Sequence, residues 1–262
     1  MSVGAPQSMA GIDARRIEEA GLNAMQTQRQ LFYDGWLLRL SPGKAKRARS
    51  VNAHFGSTLP LPAKISYCEH LYRRHGLPAL FRITPFVQPP DLDRVLAERG
   101  YAAFETTLVQ VAALYARPEP DAWPNGVALA EPDVATFVDA VGDLRGSSAE
   151  QRAAHRERLE NSPLAKHMIV VRAGDRIACA AQVALDDDLA GVYDVVTAED
   201  VRGNGYATLA CATLLARVAR HGARTAYLQV SADNTPALAI YRKFGFATVY
   251  TYHYRGRTED CR

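Results

Sequence analysis

Apolar positions along the chain recur with two periods, 3.6 and 2, and these divide it into helices and strands. The strongest helical run is Ala207, Ala210, Cys211, Leu214, Leu215 and Val218, spaced i, i+3, i+4, i+7, i+8 and i+11 and stopped by Gly222. Just before it, Gly191-Val192-Tyr193-Asp194-Val195-Val196-Thr197 is rich in β-branched residues and reads as a strand. Beyond the helix, Leu228 to Phe246 reads strand, loop, short helix, stop. Thr235 is the expected N-cap, Pro236 the first helical residue and Gly245 the terminator.

The same reading covers the rest. Residues 1–12 are small and polar, and Asp13 caps a helix with Ile17, Ala20 and Ala24 on one side. Trp36–Leu40, Ser50–Phe55, Ala79–Thr84 and Tyr101–Ala112 read as strands. A helix opens at Pro62 with Ile65, Cys68 and Leu71 on one face, and a shorter one runs from Asp91 to Gly100. The proline-dense stretch Arg117–Gly126 marks a linker. After it come a strand at Gly126–Ala130 and helices at Pro132–Leu144 and Ser148–Leu159. A hairpin over 167–172 and 177–185 turns at Gly174-Asp175. This mixture predicts an α/β (α+β) fold, a mixed and mostly antiparallel sheet flanked by helices.

Three charged stretches interrupt the pattern. The basic run Gly43–Arg49 suits a solvated hairpin tip, or a contact with an acidic substrate or phosphate. The helix at Ser148–Leu159 carries Glu150, Arg152, His155, Arg156 and Arg158, expected to face solvent. Asp186-Asp187-Asp188 reads as a polar turn.

Composition adds bounds. The 262 residues are 48% hydrophobic and 23% charged, enough apolar material for a sizeable core. A net charge of +3 is too mild to argue for nucleic acid. Cys68, Cys179, Cys211 and Cys261 are scattered without C-x-x-C spacing, which speaks against zinc or a disulfide framework and fits a reduced, cytoplasmic setting. No leader pattern is visible in the first ten residues, and no apolar run is long enough for a membrane span.

Chemistry enters at Val201-Arg202-Gly203-Asn204-Gly205-Tyr206-Ala207. Two glycines where a strand turns into a helix permit a tight backbone beside the unpaired N–H groups of the first helical turn, an arrangement suited to phosphate. With the stretch Asn234-Thr235-Pro236-Ala237-Leu238-Ala239-Ile240-Tyr241-Arg242-Lys243-Phe244-Gly245-Phe246, residues 125–255 resemble the GNAT superfamily of acyl-CoA-dependent N-acetyltransferases. The first motif is similar to the family's pyrophosphate loop and the second to its other acetyl-CoA motif. The resemblance implies acetyl-CoA as co-substrate without a metal. It also implies a primary amine of a small molecule or peptide as acceptor, neither nucleic acid nor membrane as partner, and a monomer or homodimer. It places Asp194, Val195, Val196 and Thr197 beside the acetyl and pantetheine parts. Arg202, Gly203, Asn204, Gly205, Tyr206 and Ala207 would hold the pyrophosphate, with Asn234 and Ala237 along the pantetheine arm. Tyr241 would contact the cofactor and protonate the departing thiolate. For the base, Asp194, Glu199, His253 or a water chain all stand open. Cys211 would suit an acyl-enzyme, but it lies on the apolar helix face, where free cysteine behaves as a core residue. Glu199 and Asp200 depart from the family's usual loop opening and put two carboxylates near a phosphate site.

A repeat is also visible. Arg74-His75-Gly76 recurs as Arg220-His221-Gly222, and Gly100-Tyr101-Ala102 as Gly245-Phe246-Ala247, with helix, strand, short helix, strand in each case. This predicts two GNAT-like halves in tandem, 1–118 and 119–262. At the first half's matching positions, Ser57, Leu59 and Leu96 stand for Gly203, Gly205 and Tyr241, so that half is expected to lack cofactor binding. Its Tyr33, Trp36 and Tyr72 would serve the core or one wall of the acceptor cleft. The alternative function is a non-catalytic CoA-binding or interaction module, which would not need Tyr241.

Overall fold

A computed structural model describes residues 13–116, 118–120 and 123–260. The expectation for residues 1–12 and parts of the linker lies outside these. The elements follow the chain as α1 (Ala14–Asn23), β1 (Gln30–Tyr33), β2 (Trp36–Arg39), β3 (Val51–Ala53), α2 (Leu61–Arg74), β4 (Phe81–Ile83), α3 (Leu92–Glu98), β5 (Ala102–Ala113), β6 (Val127–Ala130), α4 (Val134–Arg145), α5 (Ala149–Glu160), β7 (Ala165–Ala173), β8 (Arg176–Asp186), β9 (Leu189–Thr197), α6 (Tyr206–Arg220), β10 (Thr225–Ser231), α7 (Thr235–Lys243) and β11 (Ala247–Gly256). Local chemistry sets several boundaries. The Asp13 carboxylate accepts from Arg15 N and caps α1, and Ser148 and Gln151 form a capping box on α5. The cap of α7 is Asn234, one residue earlier than expected. Its side chain accepts from Ala237 N at 3.2 Å, leaving Thr235 as the first helical residue.

All eleven strands join in one sheet of order β1-β2-β3-β4-β11-β5-β10-β9-β8-β7-β6. Pairing is antiparallel except for β3 with β4 and β9 with β10. The last strand on each side of the linker lies across from its own neighbours. β5 pairs with β10, β11 pairs with β4, and the two meet each other at the centre. Mixed α/β class and mostly antiparallel pairing thus agree with expectation. Residues on either side of 118/119 share one continuous sheet.

Cores form on both faces. Trp36, Leu38, Ile65, Cys68, Tyr72 and Phe81 pack under α2 and α3. Trp36 and Tyr72 are fully buried, so they belong to that core rather than to a cleft wall. Cys211, Leu214, Val218, Ile169, Val183 and Leu228 pack under α6. Between them, α1 lays Ile17 and Ala20 on a tyrosine layer of Tyr193, Tyr227, Tyr250, Tyr252 and Tyr254. Within that layer, buried Glu18 accepts from Arg82 and, at 2.6 Å, from the Tyr250 hydroxyl. Burial alone would push the Glu18 carboxyl up, but Arg82 outweighs it and lowers it to about 2. The acidic turn is held by α1: Arg16 pairs with Asp187 and Asp188, and Asn23 donates to Asp186. Among the described residues, no helix is long and apolar enough to cross a membrane.

Candidate functional site

The site begins where two parallel strands part. β9 and β10 pair from Leu189/Thr225 to Val192/Leu228, after which β9 continues to Thr197 and β10 to Ser231 without pairing to each other. Just past this point β9 bulges. Between the pairs Val196/Ala180 and Tyr193/Gln182, the two residues Asp194 and Val195 oppose the single Ala181. Asp194 takes up the extra residue with φ +52°, a left-handed conformation that short polar side chains tolerate. The parting opens a cleft of about 900 Å³. Asp194, Val195, Val196, Thr197, Arg202, Gly203, Gly205, Tyr206, Ala207, Asn234, Ala237 and Tyr241 all line it. Asn204 is the exception. Its side-chain amide turns back and donates to Val201 O at 3.0 Å.

The loop forms the cleft's mouth. Gly203 and Gly205 have φ of +85° and +83°, and a Cβ at either would meet nothing within 4 Å. Backbone conformation, not crowding, is what demands glycine here. Gly205 caps α6, and the first helical bond runs from Leu209 N to Gly205 O, so the N–H groups of the preceding turn stay available to an anion. The two carboxylates are disposed of. Asp200 pairs with Arg176 at 2.6 Å, while Glu199 is exposed and lies 3.6 Å from Arg202.

Tyr241 projects from α7 into the same cleft with 9% of its surface exposed. Its ring stands edge-on to Phe246 at 5.8 Å. Among the described residues no partner engages its hydroxyl, and burial pushes the phenol well above its ordinary value, keeping it protonated.

Asp194 is not the free proton acceptor that the sequence suggested. Its carboxylate accepts from Arg145 Nη1 at 2.6 Å, Gln182 Nε2 at 2.5 Å and His155 Nε2 at 3.1 Å. Burial would raise it, yet Arg145, His155 and Arg158 outweigh burial and hold it well below the carboxylate range. An anion so fully engaged is a weak base. Since Asp194 can only accept, His155 Nε2 is the donor of this pair. His253 is paired with Asp93 at 2.9 Å and lies outside the cleft. Cys211 is buried under α6, its thiol pushed up to about 12 by burial.

Two walls run against expectation. The helix α5 does not simply face solvent. Gln151, His155 and Arg158, at i, i+4 and i+7, line the cleft. That spacing was available in the sequence, but the many charges on the helix argued for water. The basic run Gly43–Arg49 is not a solvated tip either. Gly43, Lys44, Ala45 and Arg47 line the cleft, and Arg47 donates to Gln229 and to the Tyr252 hydroxyl. No local signal links residue 47 to a site 150 residues away; only the continuous sheet brings them together.

Comparison with known proteins agrees with this geometry. Residues 137–246 match the acetyltransferase (GNAT) family model. The chain is 27% identical over 246 residues to the uncharacterized N-acetyltransferase YobR of Bacillus subtilis (strain 168), covering 93% of this chain and 98% of that one. Its fold is similar to a GCN5-related N-acetyltransferase from Kribbella flavida, with a TM-score of 0.66 and 19% identity over 95% and 96% of the two chains. It is also similar to a tandem GNAT protein from the clavulanic acid biosynthesis pathway, with a TM-score of 0.57 and 18% identity over 74% of this chain and 68% of that one. Residues 137–246 are thus similar to GNAT acetyltransferases by family model, the chain along its length is similar to one curated N-acetyltransferase, and its fold is shared with solved proteins of that kind.

Proposed function

We propose that the chain is an acetyl-CoA-dependent N-acetyltransferase that acts on a primary amine in a ternary complex, with its chemistry in the half after residue 118. One observation carries this reading. The Gly203–Gly205 turn presents the N-terminus of α6 at the mouth of the cleft made by the parting of β9 and β10. Those residues fit a pyrophosphate-bearing ligand by backbone N–H and helix dipole. Bound acetyl-CoA supplies the activated thioester carbonyl. In this reading the backbone of Asp194–Thr197 orients that carbonyl, Tyr241 gives its proton to the departing sulfur, and His155 Nδ1 takes one from the amine. Asp194 acts as a positioning residue that fixes the His155 tautomer.

The first half, residues 1–118, is read as a degenerate GNAT-like scaffold. At the start of α2, the place matching the Gly203–Gly205 turn, the Asp34 carboxylate accepts from Thr58 N and Leu59 N at 2.9 Å, with Lys64 beside it at 3.1 Å. The chain's own carboxylate holds the amides that a phosphate would use, which supports the absence of a second cofactor site.

Calorimetric titration of acetyl-CoA into the protein tests this. One site per chain, followed by thiol release with an amine, is expected. Two sites would overturn the reading of the first half. Absence of binding would overturn the enzyme, and binding without turnover of any amine would leave a CoA-binding module.

A further inference from the structure

Among the described residues the cleft lining carries more positive than negative charge: Arg47, Arg145 and Arg158 share one carboxylate, Asp194. Among the described residues Asp194 is the only carboxylate lining the cleft, and Arg145, Gln182 and His155 already occupy it. Arg158, on α5, is 7% exposed and lines the cleft, yet among the described residues no hydrogen bond or ion pair engages it. Arg47 reaches the same end from the first half, sits 5.8 Å from the Tyr193 ring, and keeps a buried Nε without a partner. Beside it, the buried Nε2 of Gln229 is also unpartnered. Burial lowers the Arg158 guanidinium. Asp194 opposes that shift, while Arg47 and Arg145 add to it by repulsion, so the Arg158 and Arg47 guanidiniums feel each other. Buried donors without acceptors are costly, and buried like charges without a counterion more so. An oxyanion would satisfy such donors, and a guanidinium offers it paired N–H groups. These donors lie beside Tyr193 and Asp194 on β9, whereas the turn that suits pyrophosphate follows the end of that strand.

Resting on the acetyltransferase reading above, we propose that the acceptor amine carries an oxyanion, a carboxylate or phosphate, held by Arg158 and Arg47 with Gln229. The same charge balance works against polyamines and other polycationic acceptors, because no described residue offers the cleft a free carboxylate to receive them.

The test pairs acceptors that differ only in this group: α-amino acids, their carboxamides, the corresponding decarboxylated amines, aminoalkyl phosphates and spermidine. Anionic amines should be favoured at least 10-fold in kcat/KM. Arg158→Gln should lose roughly 10- to 100-fold on them, with little change for neutral amines and unchanged acetyl-CoA binding. Preference for amino acids or for aminoalkyl phosphates names the oxyanion. Equal use of acids and amides, preference for spermidine, or an equal loss on all acceptors in the variant overturns the proposal. A second measurement needs no turnover. Acetate and inorganic phosphate, added against chloride at constant ionic strength with CoA saturating, should raise the melting temperature of the wild type and not of Arg158→Gln. Equal responses overturn the proposal. Failure of acetyl-CoA to bind would defeat the acetyltransferase reading instead, and the anion titration, run without CoA, would still read the oxyanion site.

Discussion

Asp194→Asn tests the electrostatic knot at the β9 bulge. The substitution keeps the shape and the tolerance for φ +52°, but it removes the charge that Arg145, His155 and Gln182 address. A hydrogen bond to a charged group contributes about 1.5–3 kcal/mol, and breaking a buried pair costs about 3–5 kcal/mol. Arg145 is 37% exposed, so solvent screens part of its share. A net destabilisation of roughly 2–4 kcal/mol at pH 7 follows, a melting-temperature drop of roughly 4–16 °C for a chain of this size. The pH dependence has a definite sign. The folded carboxyl lies below its unfolded value of about 3.9, so its stabilisation is fully present above that value and is lost as pH falls toward the folded one. Thermal unfolding of both proteins from pH 7 to pH 3 should show a constant gap down to about pH 5 and one about 1 kcal/mol smaller at pH 3. A variant that melts with the wild type at pH 7, or a gap that does not narrow in acid, would refute the reasoning.

Three further outcomes are expected. Tyr241→Phe should lower kcat by roughly 10²-fold with acetyl-CoA affinity unchanged, because only the proton is lost; an unaltered rate removes Tyr241 from the chemistry. Gly205→Pro imposes φ near −65° where the loop needs +83° and should abolish acetyl-CoA binding in a folded protein, as read by calorimetry. Glu18→Gln leaves Arg82 buried without its counter-charge and should destabilise by about 3–5 kcal/mol in denaturant titration; a shift under about 1 kcal/mol would show that the tyrosine layer compensates.

Much of the fold was legible locally. Periodicity and caps located α1, α2, α4, α5, α6 and the β7–β8 hairpin, and the two glycine-bearing motifs marked the loop and α7 that line the cleft. What stayed hidden depends on long-range pairing. The strand β1 escaped notice because Gln30–Tyr33 is short and alternates only between exposed and half-buried positions. For Arg47 the sequence left a solvated tip and a ligand contact both open, because its partners, Gln229 and Tyr252, arrive through β10 and β11. His155 and Arg158 differ from the expectation of a solvated face because charge in a sequence does not distinguish solvent from a polar cleft. In a cleft made to hold a polar ligand, charge points inward.

The crossing of β5 and β11 also bears on how the chain is made. β5 leaves the ribosome with its two sheet neighbours, β10 and β11, still unsynthesised. At about 5–20 residues per second, the roughly 110 residues that separate it from β10 take on the order of 6–22 s. During that wait, buried positions such as Val109 and Val111 lie on a strand without its pairing partners, a template for pairing with the wrong chain. The nascent first half therefore has to be kept apart from its copies until the last strand emerges, and stop codons or slow translation between the two halves should yield aggregates rather than a working fragment.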